Sequence, residues 1–427
     1  MPAATTMLYK VGSMIKLEGI WFDYIIVEDA QIPTYTALGW SATLSEAVAN
    51  YAAPVPSEFV NDVARGNPNW YNASPLKLKK WRAGLSRVVS KTGNAKIMCV
   101  GDSTTFGTGA GTGTNAQVGS RALSWPVRLA ELLSKNFNTN GNLSFNYNGG
   151  MSVTPNEYSP LQSAGAGWGQ STQTLTGGHF RNSTTTNDLS FTINQSIDRV
   201  KVIYAQGTAY GSFTVKINGT TVSTVNAGVN PAKEMSTVIS FAASTSPTTI
   251  TINRVSGTCD IAGVDAYLST DPVLMVTNAG FHGAKASNFI NTANYAAANS
   301  DVHIAHAADL LILMLTINDS NQNTAISTYR ANMTAFLNVA TQQSSVLLMT
   351  GFPSNTTNAT NGTLQNFINV NYELADQFDI PLLDMNERFG SYAEMNAVIP
   401  YADSTHLTSV GYADAATAVA EFVQSMS

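Results

Sequence analysis

Charge is scarce in this chain of 427 residues: Asp, Glu, Lys and Arg together make up 12%, the formal net charge is -6, and there are only five histidines and two cysteines. Each scarcity excludes something. No Lys/Arg-rich run is present to neutralise a phosphate backbone or to lie on an anionic bilayer, so neither nucleic acid nor membrane is expected as a partner. A neutral or acidic substrate fits better. Cys99 lies inside an apolar run and Cys259 in a strand-like segment far from it, so they build neither a disulfide framework nor a zinc site. Both are expected to be packing residues. The opening MPAATTMLYKVGSMIKLEG lacks the basic cluster and apolar stretch of a secretory signal. No apolar run reaches the roughly 18 residues of a membrane span. The expectation is a product made soluble in a host cytoplasm, without a signal peptide.

What is present is hydrophobic mass, 44% of the residues, enough for a real core and for two or three units. Surface polarity comes from Asn, Thr, Ser and Gly, as in RNSTTTNDLSFTINQS and PSNTTNATNGTLQN. Residues 1–50 are expected to form a small β-hairpin module, since SMIKLEGIWFDYIIV alternates around a Glu18-Gly19 turn, and the Pro- and Asn-bearing residues 51–95 read as a linker. From Lys96 the texture changes. KIMCV is a buried strand, followed by GDSTTFG and a helix near 121–135. Continuous apolar strands then alternate with helices from 309 to 385, which indicates an α/β fold with a parallel sheet covered on both faces. That domain is assigned to 96–150 and 273–427. Residues 151–272 have period-2 runs, among them FTVKINGTTVSTV with an Asn218-Gly219 turn, and read as an inserted antiparallel β-sandwich.

A strand, then Gly-Asp-Ser, then a helix puts Ser103 at the carboxyl end of a buried strand, where open α/β sheets bind ligands. A serine there becomes a nucleophile only with a base and a group to orient that base. Asp403 and His406, spaced Asp-x-x-His in a loop entering a helix, can supply both. Taken singly, each motif is ordinary: Gly-Asp-Ser is a common turn, and Asp-x-x-His is explained by a helix-capping aspartate. Asp102 reads as a loop-organising acceptor.

Together the motifs resemble the SGNH (GDSL-type) hydrolases, whose signature is a set of blocks spread over one domain. VGDSTTFG resembles the first block, with Ser103; VTNAGFHGAKASNF the second, with Gly283; LLILMLTINDS the third, with Asn318; and DSTHLTSVGY the last, with Asp403 and His406. Asn278, Gly280 and Gly283 match the family's Asn-x-Gly-x-x-Gly pattern, although NYNGGMS at 146–152 also ends a strand with glycines. The resemblance implies a three-layer α/β/α sheet and a Ser103–His406–Asp403 triad. It also implies an oxyanion hole of the Ser103 N–H, the Gly283 N–H and the Asn318 amide. One departure stands out: many members have Gly where this chain has Thr316, which puts a side chain near the pocket floor.

His282, beside Gly283, and Trp168, in a Gly-rich loop, are candidate substrate-binding residues alongside Thr316, with turn-capping and packing as the plain alternatives. His303 and His306 have a spacing that could suggest metal, but no further ligand pair is evident. Neither a metal nor any other cofactor is expected. The reading that results is a serine esterase that removes O-acetyl groups from a bacterial surface polysaccharide, capsule or O-antigen. The N-terminal module, which resembles small modules of phage tail proteins, suggests a virion-associated spike or fibre component, with a homotrimer and contact with other tail proteins as the accompanying expectations. The rivals are a non-enzymatic glycan-binding or structural tail protein and a lipid esterase of the same family.

Overall fold

The computed structural model describes residues 5–17, 20–37, 40–43, 46–47, 69–112, 119–136, 162–170, 180–290, 297–355 and 363–427. Met1–Gly66 and Asn67–Ser427 are separate units. In the first, β1 (Thr5–Leu17) pairs antiparallel with β2 (Ile20–Glu28), a hairpin whose Glu18-Gly19 turn lies outside the described residues. A 3-10 turn and the short helix α1 (Ile32–Ala37) follow.

The second unit begins inside the expected linker. Residues 69–95 are not a connector: β3 (Trp70–Tyr71) closes one sheet edge, and α2 (Lys79–Val89) buries Trp81, Leu85 and Val88 against the sheet. The apolar positions 81, 85 and 88 already had helical spacing. The Pro and Asn residues ahead of them obscured it. Next come β4 (Ala95–Gly101), the four-residue helix α3 (Ser103–Phe106) and α4 (Trp125–Asn136). The helix expected near 121–135 starts as a 3-10 turn at Arg121–Leu123.

The sandwich then interrupts the α/β domain. Its strands are β5 (Gln162–Ala164), β6 (Gly169–Gln170), β7 (Phe180–Asn182), β8 (Asp188–Ile193), β9 (Arg199–Gln206), β10 (Ser212–Ile217), β11 (Thr220–Asn226), β12 (Lys233–Ser240), β13 (Thr248–Arg254) and β14 (Cys259–Tyr267). They form two antiparallel sheets, ordered β11-β10-β13-β8-β5 and β12-β9-β14-β7-β6. Asn218 and Gly219 both have positive φ (48° and 82°), as the two-residue hairpin turn requires. Phe191, Phe213 and Ile252 of one sheet meet Val202, Tyr204 and Ile261 of the other in a single core. β10 alternates buried and partly exposed residues, whereas β14 is buried almost throughout, because its outer face is covered as well. There, Ile203 and Ala262 pack on Ala305 of the α/β domain.

The chain returns through β15 (Leu274–Gly280), α5 (Ala286–Ile290), α6 (Ser300–His306), β16 (Leu310–Met314), α7 (Ile317–Asn321), α8 (Ile326–Gln343), β17 (Ser345–Met349), α9 (Leu364–Gln377), β18 (Leu382–Leu383), α10 (Met385–Phe389), α11 (Tyr392–Val398) and α12 (Ser409–Ser425). The sheet order is β15-β4-β16-β17-β18-β3, parallel except for β3. Ile97, Cys99, Leu310 and Ile312 pack with Trp81, Leu129, Val419 and Phe422 from α2, α4 and α12. Met98, Val100, Leu311 and Leu313, which point the opposite way along the same strands, are equally buried, so the second face is covered too. Register brings Gly101, Gly280 and Met314 level with one another, so three loops leave the sheet side by side.

Candidate active site

Ser103 is the first helical residue after β4. Asp102 caps that helix, accepting from the Thr104 N–H (2.8 Å) and hydroxyl (2.6 Å), the organising role its position suggested. Burial raises the pKa of Asp102. Two glycines let so short a helix sit tightly on the sheet ends. A Cβ on Gly101 would lie 2.1 Å from Thr105 Oγ1, and one on Gly280 would lie 2.1 Å from the Phe106 nitrogen. As the first helical residue, Ser103 has an N–H without an intrahelical partner.

Asp403 and His406 lie in a tight loop closed by an Ala402 N–H to His406 carbonyl bond of 2.8 Å and anchored by the Tyr401 hydroxyl on the Pro353 carbonyl (2.7 Å). Asp403 Oδ1 accepts from the backbone N–H of Thr405 (2.7 Å) and His406 (2.8 Å), and Oδ2 lies 2.7 Å from His406 Nδ1. His406 Nε2 is 2.8 Å from Ser103 Oγ. Burial alone would raise Asp403, but the bonds from the His406 ring and the two N–H groups outweigh it and bring its pKa down to about 2. Asp403 is therefore ionised and holds the ring with Nδ1 protonated. Nε2 is left free to take a proton from Ser103. α12 secures the loop from behind: Tyr412, Ala416, Val419 and Val423 are fully buried, and the Tyr412 hydroxyl donates to the Thr108 carbonyl (2.7 Å).

The neighbouring loop follows β15. Gly283 has φ +68° with open space where a Cβ would be, a conformation that suits glycine. Asn318, on α7, donates from Nδ2 to the Ala284 carbonyl (3.1 Å), which uses one of its two amide hydrogens. Asn278 ties this loop to the nucleophile helix, donating to the carbonyls of Thr105 (3.0 Å) and Phe106 (3.2 Å) and to Ser124 Oγ (2.9 Å). NYNGGMS at 146–152, the other glycine-bearing candidate, lies outside the described residues.

The expected substrate-binding residues differ in placement. His282 packs its ring at a tilt of 47° against Phe106, with centroids 3.9 Å apart, and its Nδ1 is 2.8 Å from the Thr108 hydroxyl. Burial first, then the nearby Arg121 and His406, lower its pKa to about 3, so it is neutral. Thr316 is not on the pocket floor. It is 1% exposed and its hydroxyl accepts from Asn371 (3.2 Å), because the backbone at the end of β16 turns this side chain inward to a buried polar pair. Trp168 is fixed to the sandwich: it packs on that core and its Nε1 donates to the Asn187 carbonyl (2.7 Å), the packing alternative to a sugar platform.

His303 and His306 are spent in the core, with Nε2 of His303 donating to the Ala297 carbonyl (2.7 Å) and Nε2 of His306 paired with Glu234. Among the described residues no group of His, Cys, Asp and Glu is arranged to hold a metal, and Cys99 and Cys259 are buried and unbridged. Among the same residues no helix is long and apolar enough to cross a membrane. Sequence reasoning missed Arg121. It is fully buried, donates to the carbonyls of Asn278 (2.8 Å) and Gly280 (3.2 Å), and lies 4.3 Å over the Phe106 ring. A lone arginine in a Gly/Thr-rich stretch carries no pattern that would have marked it.

Residues 262–413 match the GDSL-like Lipase/Acylhydrolase family, a stretch that holds Gly283, Asn318, Asp403 and His406 and begins beyond the strand that presents Ser103. No curated protein matches the chain in sequence. A solved structure described as a peptidoglycan O-acetylesterase superposes with a TM-score of 0.59 at 17% identity, covering 83% of this chain and 97% of its own. A two-domain esterase active on acetylated mannans gives 0.39 at 12%, over 82% of this chain and 54% of its own, so the chain spans about half that protein. A lipolytic protein of the G-D-S-L family from Desulfitobacterium hafniense DCB-2 gives 0.36 at 11%, over 77% and 99%. The likeness to the first is one of fold.

Proposed function

We propose that the chain is a carboxylic ester hydrolase of the GDSL-like lipase/acylhydrolase (SGNH) type, the family that residues 262–413 match, and that it removes O-acetyl groups from a polysaccharide, with Ser103, His406 and Asp403 as its catalytic triad. The observation that carries the proposal is the unbroken relay from Ser103 Oγ to His406 Nε2 (2.8 Å) and from His406 Nδ1 to Asp403 Oδ2 (2.7 Å).

In this reading Ser103 Oγ attacks the acetyl carbonyl as its proton passes to His406 Nε2. The negative charge that develops on the carbonyl oxygen is met by the N–H groups of Ser103 and Gly283 and by the remaining Asn318 amide hydrogen. Collapse expels the sugar alkoxide, which takes the proton from His406, and leaves acetyl-Ser103. Water then gives a proton to His406 and attacks the acetyl carbonyl. Acetate leaves, and Ser103 recovers its proton. Asp403 stays ionised throughout and stabilises the imidazolium.

A sugar substrate is supported by the uncharged surface composition, by the inserted sandwich and by the fold shared with a peptidoglycan O-acetylesterase. His282, next to Gly283, is proposed to line the acyl or sugar pocket. The biological setting proposed is a virion, with the chain as a homotrimeric tail spike or fibre component acting on capsule or O-antigen beside other tail proteins. The self-contained hairpin unit of Met1–Gly66 supports an attachment module. The test is acetate release from O-acetylated bacterial polysaccharides by wild type and S103A. Wild type should release acetate and S103A should not; equal rates would defeat the reading. With p-nitrophenyl esters, the rate should fall from acetyl to octanoyl.

A further inference from the structure

α7 grips the loop after β15 with side chains of opposite polarity. Asn318 donates to the Ala284 carbonyl (3.1 Å), while Asp319 Oδ2 accepts from the Ala286 N–H (2.8 Å). Between β15 and these two contacts lies Gly283, whose positive φ fixes where its own N–H points. Asp319 is 1% exposed. Burial raises its pKa to about 6, partly offset by the Ala286 N–H and by the Thr324 side chain. Nothing in the relay from Asp403 to Ser103 uses it. What it does hold is the loop that carries Gly283, one of the proposed oxyanion donors.

We infer that Asp319 is a positioning residue for ester hydrolysis: by accepting from the Ala286 N–H it fixes the Gly283–Ala286 loop and aims the Gly283 N–H and the Asn318 amide at one oxygen. The inference rests on the esterase reading above. Its essential feature is an acceptor, not a charge. Asparagine at this position can still accept from the Ala286 N–H, whereas leucine, of similar size, cannot.

The test compares wild type, S103A, D319N and D319L on p-nitrophenyl acetate and follows the rate at which an organophosphonate labels Ser103. D319L should lose roughly 10- to 100-fold in kcat with KM within about threefold, because the loss falls on charge that appears only in the transition state. Its phosphonylation rate should fall in step while the final extent of labelling stays complete, which a simply misfolded fraction would not give. D319N should recover to within about threefold of wild type. Should D319L fail to fold, A286P removes the partner N–H at a first helical position that accepts proline, and the same loss is expected. A D319L or A286P enzyme as fast as wild type, or a D319N enzyme as slow as D319L, overturns the inference. If S103A itself retains the wild-type rate, the esterase reading fails instead, so the two failures are told apart.

Discussion

Ser103 and His406 are separated by 303 positions in sequence yet share a 2.8 Å contact, and under the proposed mechanism that contact joins them in one proton path. Groups that act as a unit have non-additive effects on rate. S103A and H406A should each lower kcat on p-nitrophenyl acetate by roughly 10⁴-fold or more, and the double variant should be about as slow as either single one. Multiplication of the two losses in the double variant would argue against a shared proton path. At this scale the sequence pointed to Ser103, Gly283, Asn318, Asp403 and His406 because each falls in a family block, and the structure places His406 between Ser103 and Asp403. Thr316 was misjudged because sequence position does not say which way the chain turns after a strand, and here it turns toward Asn371. Arg121 and Asp319 were silent because each acts on backbone groups, and backbone carbonyls and N–H groups leave no signature in a sequence.

At the scale of elements, α6 controls a pH dependence. His303 donates from Nε2 to the Ala297 carbonyl, and burial, only partly offset by that bond, lowers its pKa to about 4. In the unfolded chain the same ring titrates near 6.5. Between those values the unfolded state binds more protons, so stability is full above pH 6.5 and is lost as the pH falls toward 4. His282, lowered to about 3, and His306, also lowered by burial, act in the same sense. Asp102 and Asp319, both raised by burial, oppose them. Melting temperatures measured from pH 7 to 4 should fall for wild type and fall less steeply for H303Q. An unchanged slope in H303Q would assign the acid sensitivity elsewhere. The elements themselves were largely legible, since continuous apolar strands and period-2 strands differ in pattern. α2 was not, because proline and asparagine just ahead of it resemble a linker, and only the burial of Trp81 reveals its allegiance.

Across the whole second unit, the sandwich is joined to the α/β domain by buried charge. Lys96 of β4 meets Asp265 of β14 at 2.7 and 3.0 Å, with side chains 4% and 2% exposed. His306 meets Glu234 of β12, and Lys201 of β9 donates to the His306 carbonyl (3.3 Å). Burial first, then neighbouring Lys96, lowers Lys201 to about 8. D265A leaves Lys96 buried without this partner and should cost about 3–5 kcal/mol in denaturant unfolding. The K96M/D265L double variant should regain most of that loss. A D265A cost below about 1 kcal/mol would mean that solvent reaches the seam. No sequence pattern announced this joint, because ion pairs between distant strands follow from topology and topology was read only in outline.

The interruption of the α/β domain by the sandwich also sets the order of events on the ribosome. Ser103 emerges early, but β15 and β16, which flank its strand, and the loop bearing Asp403 and His406 are translated only after the whole insertion. A nascent chain that stops short of His406 has Ser103 with no imidazole beside it, so under the proposed triad such a chain should show no esterase activity.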